Sequence, residues 1–339
     1  MKILIIADPG IVVPPKGYGG IERVVAMLAR EYYINGHCVE ILANKGSHIE
    51  GVKAHFNGNS GFPQTKINRY LSLIRTWFFL VRNYHKYDVI QNFGRLLFLV
   101  PILKSDIKKI MCYQRHISTR NISILELLSP RKLYLFGCSK NLVEKRMLFG
   151  SWNVIYNPIN SLNYSYNSVF CEDLPLIFLS RIVFEKGCHI AIEIAKMTNN
   201  KLIIAGNKSN LPEDIGYFEK FVLPFIDGKQ IVYVGEVDDI QKSNYLRNAK
   251  AMLFPILWDE PFGIVMIESM ICGTPVIAFN RGSVNEVIDE GVTGFKVNDK
   301  NEMANAIFKL SSIDRNICHH HTKSRFDISV IASQYLSVV

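Results

Sequence analysis

The most specific chemical signal in the sequence is a pair of glutamates, Glu260 and Glu268, separated by seven residues. Pro261 favours the first turn of a helix and disfavours helical geometry in the residue before it, so we expect Glu260 in a loop and Glu268 on the helix. Carboxylates accept hydrogen bonds from paired hydroxyls, and the first residues of the helix offer backbone N–H groups to further oxygens. Those residues are Phe262, Gly263 and Ile264. The pattern predicts one hydroxyl-rich ligand held at two points; a capped helix with one exposed glutamate is the alternative, and it fits the apolar surroundings of Glu268 poorly.

Two cations form a second candidate site. Arg181 and Lys186 follow a strand-like run, and Gly187 precedes a helical pattern. Cationic side chains beside free helix N–H groups at the carboxyl end of a strand suit a diphosphate better than a carboxylate. Pairs with this spacing are often solvated surface charge, so it is the position after a strand that favours a binding role.

A glycine-rich loop follows the first strand-like run. It ends in Gly17, Gly19 and Gly20, which permit a ligand to approach the backbone closely at the start of a helix. The loop lacks the G-x-G-x-x-G spacing, which disfavours nicotinamide binding. A flexible loop that needs glycine for its turns is an equally good interpretation of this segment alone.

These residues must be positioned by short apolar strands, which alternate with helical patterns through both halves of the chain. Such alternation predicts an α/β protein with parallel sheets covered on both faces. A segment rich in Asn, Ser and Tyr, residues 157–175, is interpreted as a linker between a domain at 1–156 and a domain at 176–322. Ligands of such sheets bind beyond the carboxyl ends of the strands, so two facing domains would define a cleft.

Composition excludes several classes of protein. The 339 residues are 48% apolar and 20% charged, which excludes global disorder and suits two domains. The longest apolar run, residues 96–103, is far below the roughly 20 residues that cross a bilayer, and the run at residues 3–7 is too short for a signal peptide. We therefore expect a cytoplasmic protein. Seven scattered cysteines without a C-x-x-C pair indicate neither a disulfide framework nor a zinc cluster.

Charge is unevenly distributed along the chain. Residues 1–160 hold 22 Lys and Arg against 9 Asp and Glu, and residues 161–339 hold 17 against 21, so the halves carry +13 and −4. The first half should therefore meet something anionic, whether a nucleic acid, a phosphate-bearing acceptor or the anionic face of a membrane.

A helix with an apolar stripe is predicted at residues 66–86, within the basic half. Phe79 would lie exposed among cations on the face opposite the stripe, which suits an anionic membrane surface or a lipid-phosphate acceptor. A core helix with a solvated back is the competing interpretation, and the pattern favours it over membrane contact. The predicted core-facing stripe is Tyr70, Leu73, Ile74, Trp77, Leu80 and Val81, and the opposite cations are Arg75, Arg82 and Lys86.

Together these motifs resemble the family 4 retaining glycosyltransferases of the GT-B fold. Glu260 and Glu268 match that family's E-x7-E motif, and GYGGIERVV at residues 17–25 matches its glycine loop and first helix. The resemblance covers nearly the whole chain. It implies two facing Rossmann-like, doubly wound parallel-sheet domains with an interdomain cleft, and a C-terminal helix at about 323–339 that packs back on the first domain.

The resemblance also implies a role for each candidate residue. Glu268 would hold the ribose hydroxyls of a nucleotide donor. Glu260 would hold the transferred sugar, together with the amides of residues 262–264. Arg181 and Lys186 match the family's diphosphate-binding pair.

In the first domain, Gly19 and Gly20 would bind the donor by the same resemblance. His116, at the end of the strand-like run IMCYQRH, would lie beside the donor sugar as a catalytic residue. Family members usually have glycine after this histidine, whereas Ile117 follows it here.

The implied activity is transfer of a hexose from a nucleotide sugar, most simply UDP- or GDP-linked, to a hydroxyl of a glycan or lipid-linked saccharide. Retention of anomeric configuration and a role in cell-surface polysaccharide or glycoconjugate synthesis are part of the same resemblance. No D-x-D motif occurs in the sequence, so we expect fixed cations and helix N-termini, with no metal cofactor, to stabilise the leaving diphosphate.

Two alternatives remain at this stage. A nucleotide-sugar epimerase or hydrolase of the same architecture would share the donor motifs but need no acceptor. A basic nucleic-acid-binding module would explain the charge of the first half. It leaves Glu260 and Glu268 without a role, and their charges would repel phosphate chains, so we expect no nucleic-acid partner.

Overall fold

The computed structural model describes residues 1–15, 17, 19–59, 61, 64–115, 117–118, 122–123, 128, 130–144, 152–209 and 211–338. The chain divides into two compact units. Unit 1 comprises Met1–Pro158 and Ile328–Val339, and unit 2 comprises Ile159–Asp327.

Seven parallel strands form the sheet of unit 1. They are β1 (Lys2–Ile6), β2 (Cys38–Asn44), β3 (Lys53–Gly58), β4 (Val89–Asn92), β5 (Lys108–Tyr113), β6 (Leu133–Gly137) and β7 (Trp152–Val154). Their order across the sheet is β3-β2-β1-β4-β5-β6-β7, so the direction of winding reverses between β1 and β4. Ile3 pairs with Val89 across that reversal, and Ile3 to Ile6 are all buried, as expected of a strand covered on both faces.

Helices cover this sheet. The described ones are α1 (Gly20–Ile34), α2 (Lys66–Asn83), Lys140–Glu144 and Ile328–Ser337. The last of these packs against α1, and its buried Tyr335 contacts the rings of Phe93 and Phe136. The final helix of the chain thus belongs to unit 1, whereas residues 323–327 belong to unit 2.

The predicted orientation of α2 is wrong. Its buried residues are Ser72, Thr76 and Leu80, whereas Tyr70, Ile74 and Val81 of the predicted core stripe are exposed. The polar pair faces inward because β3 lies against it. Thr76 accepts a hydrogen bond from Asn57 at 3.2 Å, and a Cβ on Gly58 would lie 3.2 Å from the Ser72 hydroxyl. Phe79, predicted to be exposed, is half-buried with its ring 4.7 Å from that of His55.

Six parallel strands form the sheet of unit 2. They are β8 (Leu176–Leu179), β9 (Leu202–Ala205), β10 (Ile231–Gly235), β11 (Met252–Phe254), β12 (Val276–Phe279) and β13 (Gly294–Val297). Their order is β10-β9-β8-β11-β12-β13, so the winding reverses between β8 and β11. The described helices of unit 2 are Cys188–Met197, Pro212–Phe221, Asp239–Arg247, Ile264–Ile271, Val284–Val287, Lys300–Ile307 and Arg315–Phe326. The prediction of two doubly wound parallel sheets is confirmed.

The segment interpreted as a linker is largely part of unit 2, since that unit begins at Ile159. Arg315 fixes this segment, which forms little regular structure, to the rest of unit 2. Its buried guanidinium donates to the carbonyl of Asn167 at 2.9 Å and to the carbonyl of Ala249 at 2.9 Å. The segment is therefore fixed by hydrogen bonds to its backbone, which composition does not reveal.

Over the described ranges, each helix is either too short or too polar to span a membrane.

Candidate functional site

Most of the predicted site residues follow β8 and β11, the strands between which the winding of unit 2 reverses. Ligands of open α/β sheets bind at such a reversal, beyond the carboxyl ends of the strands. Arg181 and Lys186 follow β8, and Glu260 follows β11. Two motifs separated by more than 70 residues in sequence are thus brought to one edge of one sheet.

Lys186 and Glu260 form an ion pair at that edge. The Lys186 ammonium lies 2.5 Å from Oε2 of Glu260, and each side chain is 13% exposed. The indole N–H of Trp258 donates to the same oxygen at 2.9 Å. No pattern in the sequence marks Trp258, although it lies two residues before Glu260 in the same loop. When a ligand separates this pair, Lys186 can bind an anionic group of the ligand, and Glu260 can accept hydrogen bonds from its hydroxyls.

The backbone of the loop that carries Glu260 is held by hydrogen bonds from Ser283. Ser283 donates its backbone N–H to the carbonyl of Glu260 at 3.0 Å and its hydroxyl to the carbonyl of Phe262 at 2.8 Å. Gly282 permits this approach, because a Cβ there would lie 2.4 Å from the backbone of Glu260. The loop is therefore held through its main chain, and the Glu260 side chain makes its contacts with Lys186 and Trp258.

The helix after this loop begins later than predicted. It spans Ile264–Ile271, so Pro261 lies outside it. Gly263 precedes the helix with φ of 75°, a left-handed conformation that glycine adopts at little cost. The sequence predicts that three residues offer backbone N–H groups from the start of the helix. Phe262 lies in the loop, Gly263 immediately precedes the helix, and only Ile264 is helical. Glu260 lies in a loop and Glu268 on the helix, as predicted.

Glu268 is buried and held by two donors from elsewhere in unit 2. Its Oε1 accepts from the Lys242 ammonium at 2.6 Å and from the Tyr164 hydroxyl at 2.7 Å. Burial and the charge of Glu268 raise the pKa of the Tyr164 phenol well above its usual range, so the phenol keeps its proton. Neither partner is marked by a sequence pattern, because Tyr164 lies 104 residues from Glu268 and Lys242 lies 26 residues from it.

The turn that carries Lys186 is fixed by the next glycine. Lys186 ends a short 3-10 turn, Phe184–Lys186, and Gly187 follows with φ of 73°. A Cβ on Gly187 would lie 2.1 Å from the carbonyl oxygen of Pro255, so a side chain there would push the turn away from β11. Arg181 is half-buried at the start of the same connection.

Unit 1 contains the remaining predicted site residues. Gly19 is buried immediately before α1, and Gly20 is the first residue of α1. A Cβ on Gly19 would lie 2.7 Å from the Cβ of Pro15, so the proline-stiffened loop needs glycine at this point. His116 lies outside the described residues. Ile117, the next residue in sequence, is 1% exposed and belongs to the hydrophobic core of unit 1.

One further carboxyl lies beside this glycine loop. Glu22, in the first turn of α1, is 3% exposed. Burial raises the pKa of its carboxyl, its own backbone N–H opposes the rise, and the nearby Asp8 adds to it. Glu22 lies within the glycine-loop motif at residues 17–25, but nothing in the sequence of that motif marks the glutamate itself.

Comparisons with known proteins agree with this architecture. Residues 171–323, which lie within unit 2, match the family described as Glycosyl transferases group 1. An uncharacterized 41.2 kDa protein in the cps region of Klebsiella pneumoniae is 24% identical over 284 residues, which cover 78% of this chain and 75% of that protein. A phosphatidyl-myo-inositol mannosyltransferase of Mycobacterium leprae is 33% identical over 117 residues, 32% of this chain and 31% of that protein.

A solved structure shares the fold over the full length. Anabaena Alr3699/HepE in complex with UDP-glucose has a TM-score of 0.74 and 18% identity, and the match covers 100% of both chains. At this identity the likeness shows the fold. Unit 2 is therefore similar to the Glycosyl transferases group 1, and the whole chain shares its fold with the solved structure.

Proposed function

We propose that this chain transfers a hexose from a nucleoside diphosphate sugar to a hydroxyl of a glycan or lipid-linked saccharide, with retention of anomeric configuration. The product would enter a cell-surface polysaccharide or glycoconjugate. The observation that carries the proposal is the ion pair of Lys186 and Glu260 at the reversal point of the unit 2 sheet.

The pair suits both ends of a sugar diphosphate. A diphosphate entering beside Lys186 would replace Glu260 as the partner of the Lys186 ammonium. Arg181, in the same connection, would supply a second cation. Glu260 would then be free to accept hydrogen bonds from hydroxyls of the sugar. Glu268, farther along the helix, would accept the ribose hydroxyls of the nucleoside.

Departure of the nucleoside diphosphate develops negative charge on the leaving oxygen. Fixed cations in a site with little water stabilise such charge without reorganisation, and a divalent metal is not needed for that purpose. We propose a metal-independent reaction for this reason. Same-face attack by the acceptor hydroxyl accounts for retention, and detection of a glycosyl adduct on Glu260 would contradict it.

The donor remains to be chosen by experiment, with UDP- and GDP-sugars as the leading candidates. The resemblance to a protein crystallised with UDP-glucose favours UDP. A thermal-shift panel of UDP-, GDP- and ADP-sugars tests donor binding, since a ligand at 100 times its Kd stabilises by about 2.7 kcal/mol. Glu268→Ala should abolish the shift given by the best donor, and an unchanged shift would refute the ribose assignment.

Transfer must then be separated from hydrolysis and epimerisation. The donor found in the panel is incubated with and without candidate saccharide acceptors, and free sugar, epimerised donor and lengthened acceptor are measured by chromatography. We expect nucleoside diphosphate release to depend on an acceptor. Release without any acceptor would favour the hydrolase, and an epimerised donor would favour the epimerase.

The acceptor is proposed to lie at a membrane surface, which α2 would contact. Six exposed apolar side chains fall within an arc about 100° wide on this helix, opposite its buried face. Arg75 and Arg82 lie at one edge of the arc, and the Arg82 guanidinium is 3.7 Å from the ring centroid of Phe78. The six, called here the exposed stripe of α2, are Ile67, Tyr70, Leu71, Ile74, Phe78 and Val81.

An apolar stripe bordered by cations suits an anionic lipid surface better than a nucleic acid. Phosphate chains would gain from the cations but would leave six apolar side chains without a partner. The similarity to a phosphatidyl-myo-inositol mannosyltransferase supports an acceptor carried on lipid.

A further inference from the structure

Glu268 is oriented by partners that the proposed function has not yet used. We propose that Lys242 and Tyr164 are positioning residues, which hold Glu268 by Oε1 and leave Oε2 to the ribose hydroxyls of a nucleoside diphosphate. They would thereby set a preference for ribonucleotides over 2′-deoxyribonucleotides. The inference rests on the proposed function and adds to it the residues that decide recognition of the ribose.

The geometry divides the carboxylate between two tasks. Lys242 Nζ lies 2.6 Å and the Tyr164 hydroxyl 2.7 Å from the same oxygen, Oε1. An ionised carboxylate has roughly four acceptor positions on its two oxygens. Two donors on Oε1 fill the positions of that atom, so the acceptor capacity offered to a ligand is that of Oε2.

Both members of the Glu268 and Lys242 ion pair are largely buried, which raises the cost of losing either one. Glu268 is 5% exposed, and the Lys242 side chain is 10% exposed. A carboxylate withdrawn from water is costly unless a cation and hydrogen bonds satisfy it, and Lys242 supplies that cation to Glu268. Asp239, on the outer side, lies 3.0 Å from the same ammonium and keeps it in place.

The three residues come from three separate elements. Glu268 lies on the helix Ile264–Ile271, Lys242 on the helix Asp239–Arg247, and Tyr164 directly after the turn Ser161–Asn163. Donors that approach from two elements restrict the rotamer of Glu268 before any ligand arrives. Restricting a binding group in advance raises affinity, because less conformational entropy is lost on binding.

A purely structural role would use the same contacts. The two hydrogen bonds also tie the segment at residues 161–164 and the helix Asp239–Arg247 to the helix of Glu268. Loss of either bond would then lower stability without changing which nucleotide binds. A measurement that compares two ligands within each variant separates the two roles.

The test uses calorimetric titration of the full chain with UDP, GDP and their 2′-deoxy counterparts. We expect the wild type to bind one ribonucleotide on the order of 10- to 100-fold more tightly than its 2′-deoxy form, since a charged hydrogen bond is lost. Lys242→Met should reduce this ratio to about three-fold or less. Tyr164→Phe, which removes only a hydroxyl, should reduce it partly, and it keeps the test valid if Lys242→Met fails to fold.

Lys250→Met is the matched control. Lys250 is also buried in unit 2, and its ammonium lies 2.7 Å from Oε2 of Glu172, away from Glu268. This variant should lose stability and keep the wild-type ratio.

The outcomes distinguish two failures. Wild-type protein that binds neither UDP nor GDP would overturn the proposed function and this inference with it. Wild-type protein that binds without preferring ribose would overturn only the inference. So would Lys242→Met and Tyr164→Phe variants that keep the full ratio.

Discussion

The ammonium of Lys186 lies 2.5 Å from Oε2 of Glu260, so two residues expected to hold different parts of a ligand hold each other. The same ammonium lies 5.2 Å from the ring centroid of Trp258, whose indole N–H shares the Glu260 oxygen. An anion that binds here must compete with Glu260 for Lys186. Such a pair keeps two charged side chains neutralised and oriented until the ligand replaces the contact.

Trp258→Phe is the sharpest test of this orientation. The variant removes the N–H that holds Oε2 of Glu260 but keeps a ring beside Lys186. A hydrogen bond to a charged group contributes about 1.5 kcal/mol at its lower end, so we expect kcat/KM for the donor to fall about ten-fold. Steady-state kinetics with the donor identified in the binding panel measure the change.

Trp77→Phe controls for the loss of an indole. Trp77 also donates its N–H, to the carbonyl of Leu97 at 2.7 Å, but it lies on α2 in unit 1. We expect its kcat/KM to stay within two-fold of the wild type. Equal losses in the two variants would mean that the effect of Trp258→Phe is not specific to Glu260.

Gly187→Ala should destabilise unit 2 and displace Lys186. The new Cβ would lie 2.1 Å from the carbonyl oxygen of Pro255, at a φ of 73°. Left-handed backbone with a side chain and an overpacked contact together cost about 2–4 kcal/mol. Chemical denaturation followed by circular dichroism measures the loss.

Gly228→Ala separates the two contributions. Gly228 has a similar φ of 69°, but a Cβ there would meet nothing within 4 Å. Only the backbone cost of about 1–2 kcal/mol should remain. If both alanine variants lose the same stability, the close approach to Pro255 has no energetic consequence.

The sequence marks a candidate site residue only where both the residue type and its position are informative. Glu268 is marked as unusual because it interrupts an apolar helix, and Arg181 and Lys186 are marked because they follow a strand. Trp258, Tyr164 and Lys242 carry no such mark. Their roles depend on which segments of the chain lie beside Glu260 and Glu268 in the folded unit, and only the tertiary structure shows that.

The error on α2 has a different cause. Periodicity chose the apolar side chains as the buried face, and the helix is rotated by about 100° from that prediction. The close packing of Gly58 and Asn57 in β3 favours small polar side chains, Ser72 and Thr76, on the inner face. Hydrophobic periodicity does not record contacts that involve a glycine backbone, a side-chain amide or a hydroxyl group.

Arg315→Met should strongly destabilise unit 2. Arg315 is 1% exposed, and its guanidinium donates to three backbone carbonyls and to the hydroxyl of Thr274. Its loss leaves buried acceptors without donors, and we expect a cost of about 3–5 kcal/mol. Residues 159–175 should also become sensitive to protease, because Asn167 loses its partner.

Arg131→Met provides the comparison for loss of an arginine. Arg131 is exposed and lies 3.7 Å from Asp106, a pair expected to contribute at most about 1 kcal/mol. Its melting temperature and its pattern of proteolysis should match those of the wild type. Stability of Arg315→Met equal to that of Arg131→Met would contradict the role assigned to Arg315.

Glu40 should make unit 1 sensitive to acid. Burial alone would raise the pKa of its carboxyl, but hydrogen bonds from Tyr87, His55 and Lys2 outweigh it and lower the pKa to about 2. The unfolded chain takes up this proton near the ordinary pKa of 4.5, before the folded chain does. The stabilisation is therefore complete above about pH 4.5 and is lost as the pH falls toward 2, by up to about 1.4 kcal/mol per pH unit.

Glu40→Gln tests this slope. Unfolding free energies of the wild type and the variant are measured from pH 6 to pH 2.5. The variant should be less stable at pH 6, and the difference should shrink as the pH falls. Glu50→Gln, which changes an exposed carboxyl paired with Arg30, should run parallel to the wild type. A constant difference between Glu40→Gln and the wild type would refute the assignment.

The exposed stripe of α2 should bind anionic membranes. Phe78→Ser and Ile74→Ser each remove apolar area from the stripe, and each buried side chain of this size contributes about 1.5–3 kcal/mol. We expect either change to weaken binding to vesicles of anionic phospholipid at least about ten-fold in sedimentation assays. Phe308→Ser removes an exposed phenylalanine from unit 2 and should leave binding unchanged.

Because the bordering arginines act through charge, higher salt should weaken binding of the wild type, and vesicles of neutral lipid should bind it poorly. Wild-type protein that ignores anionic vesicles at low salt would mean that the stripe does not dock on lipid.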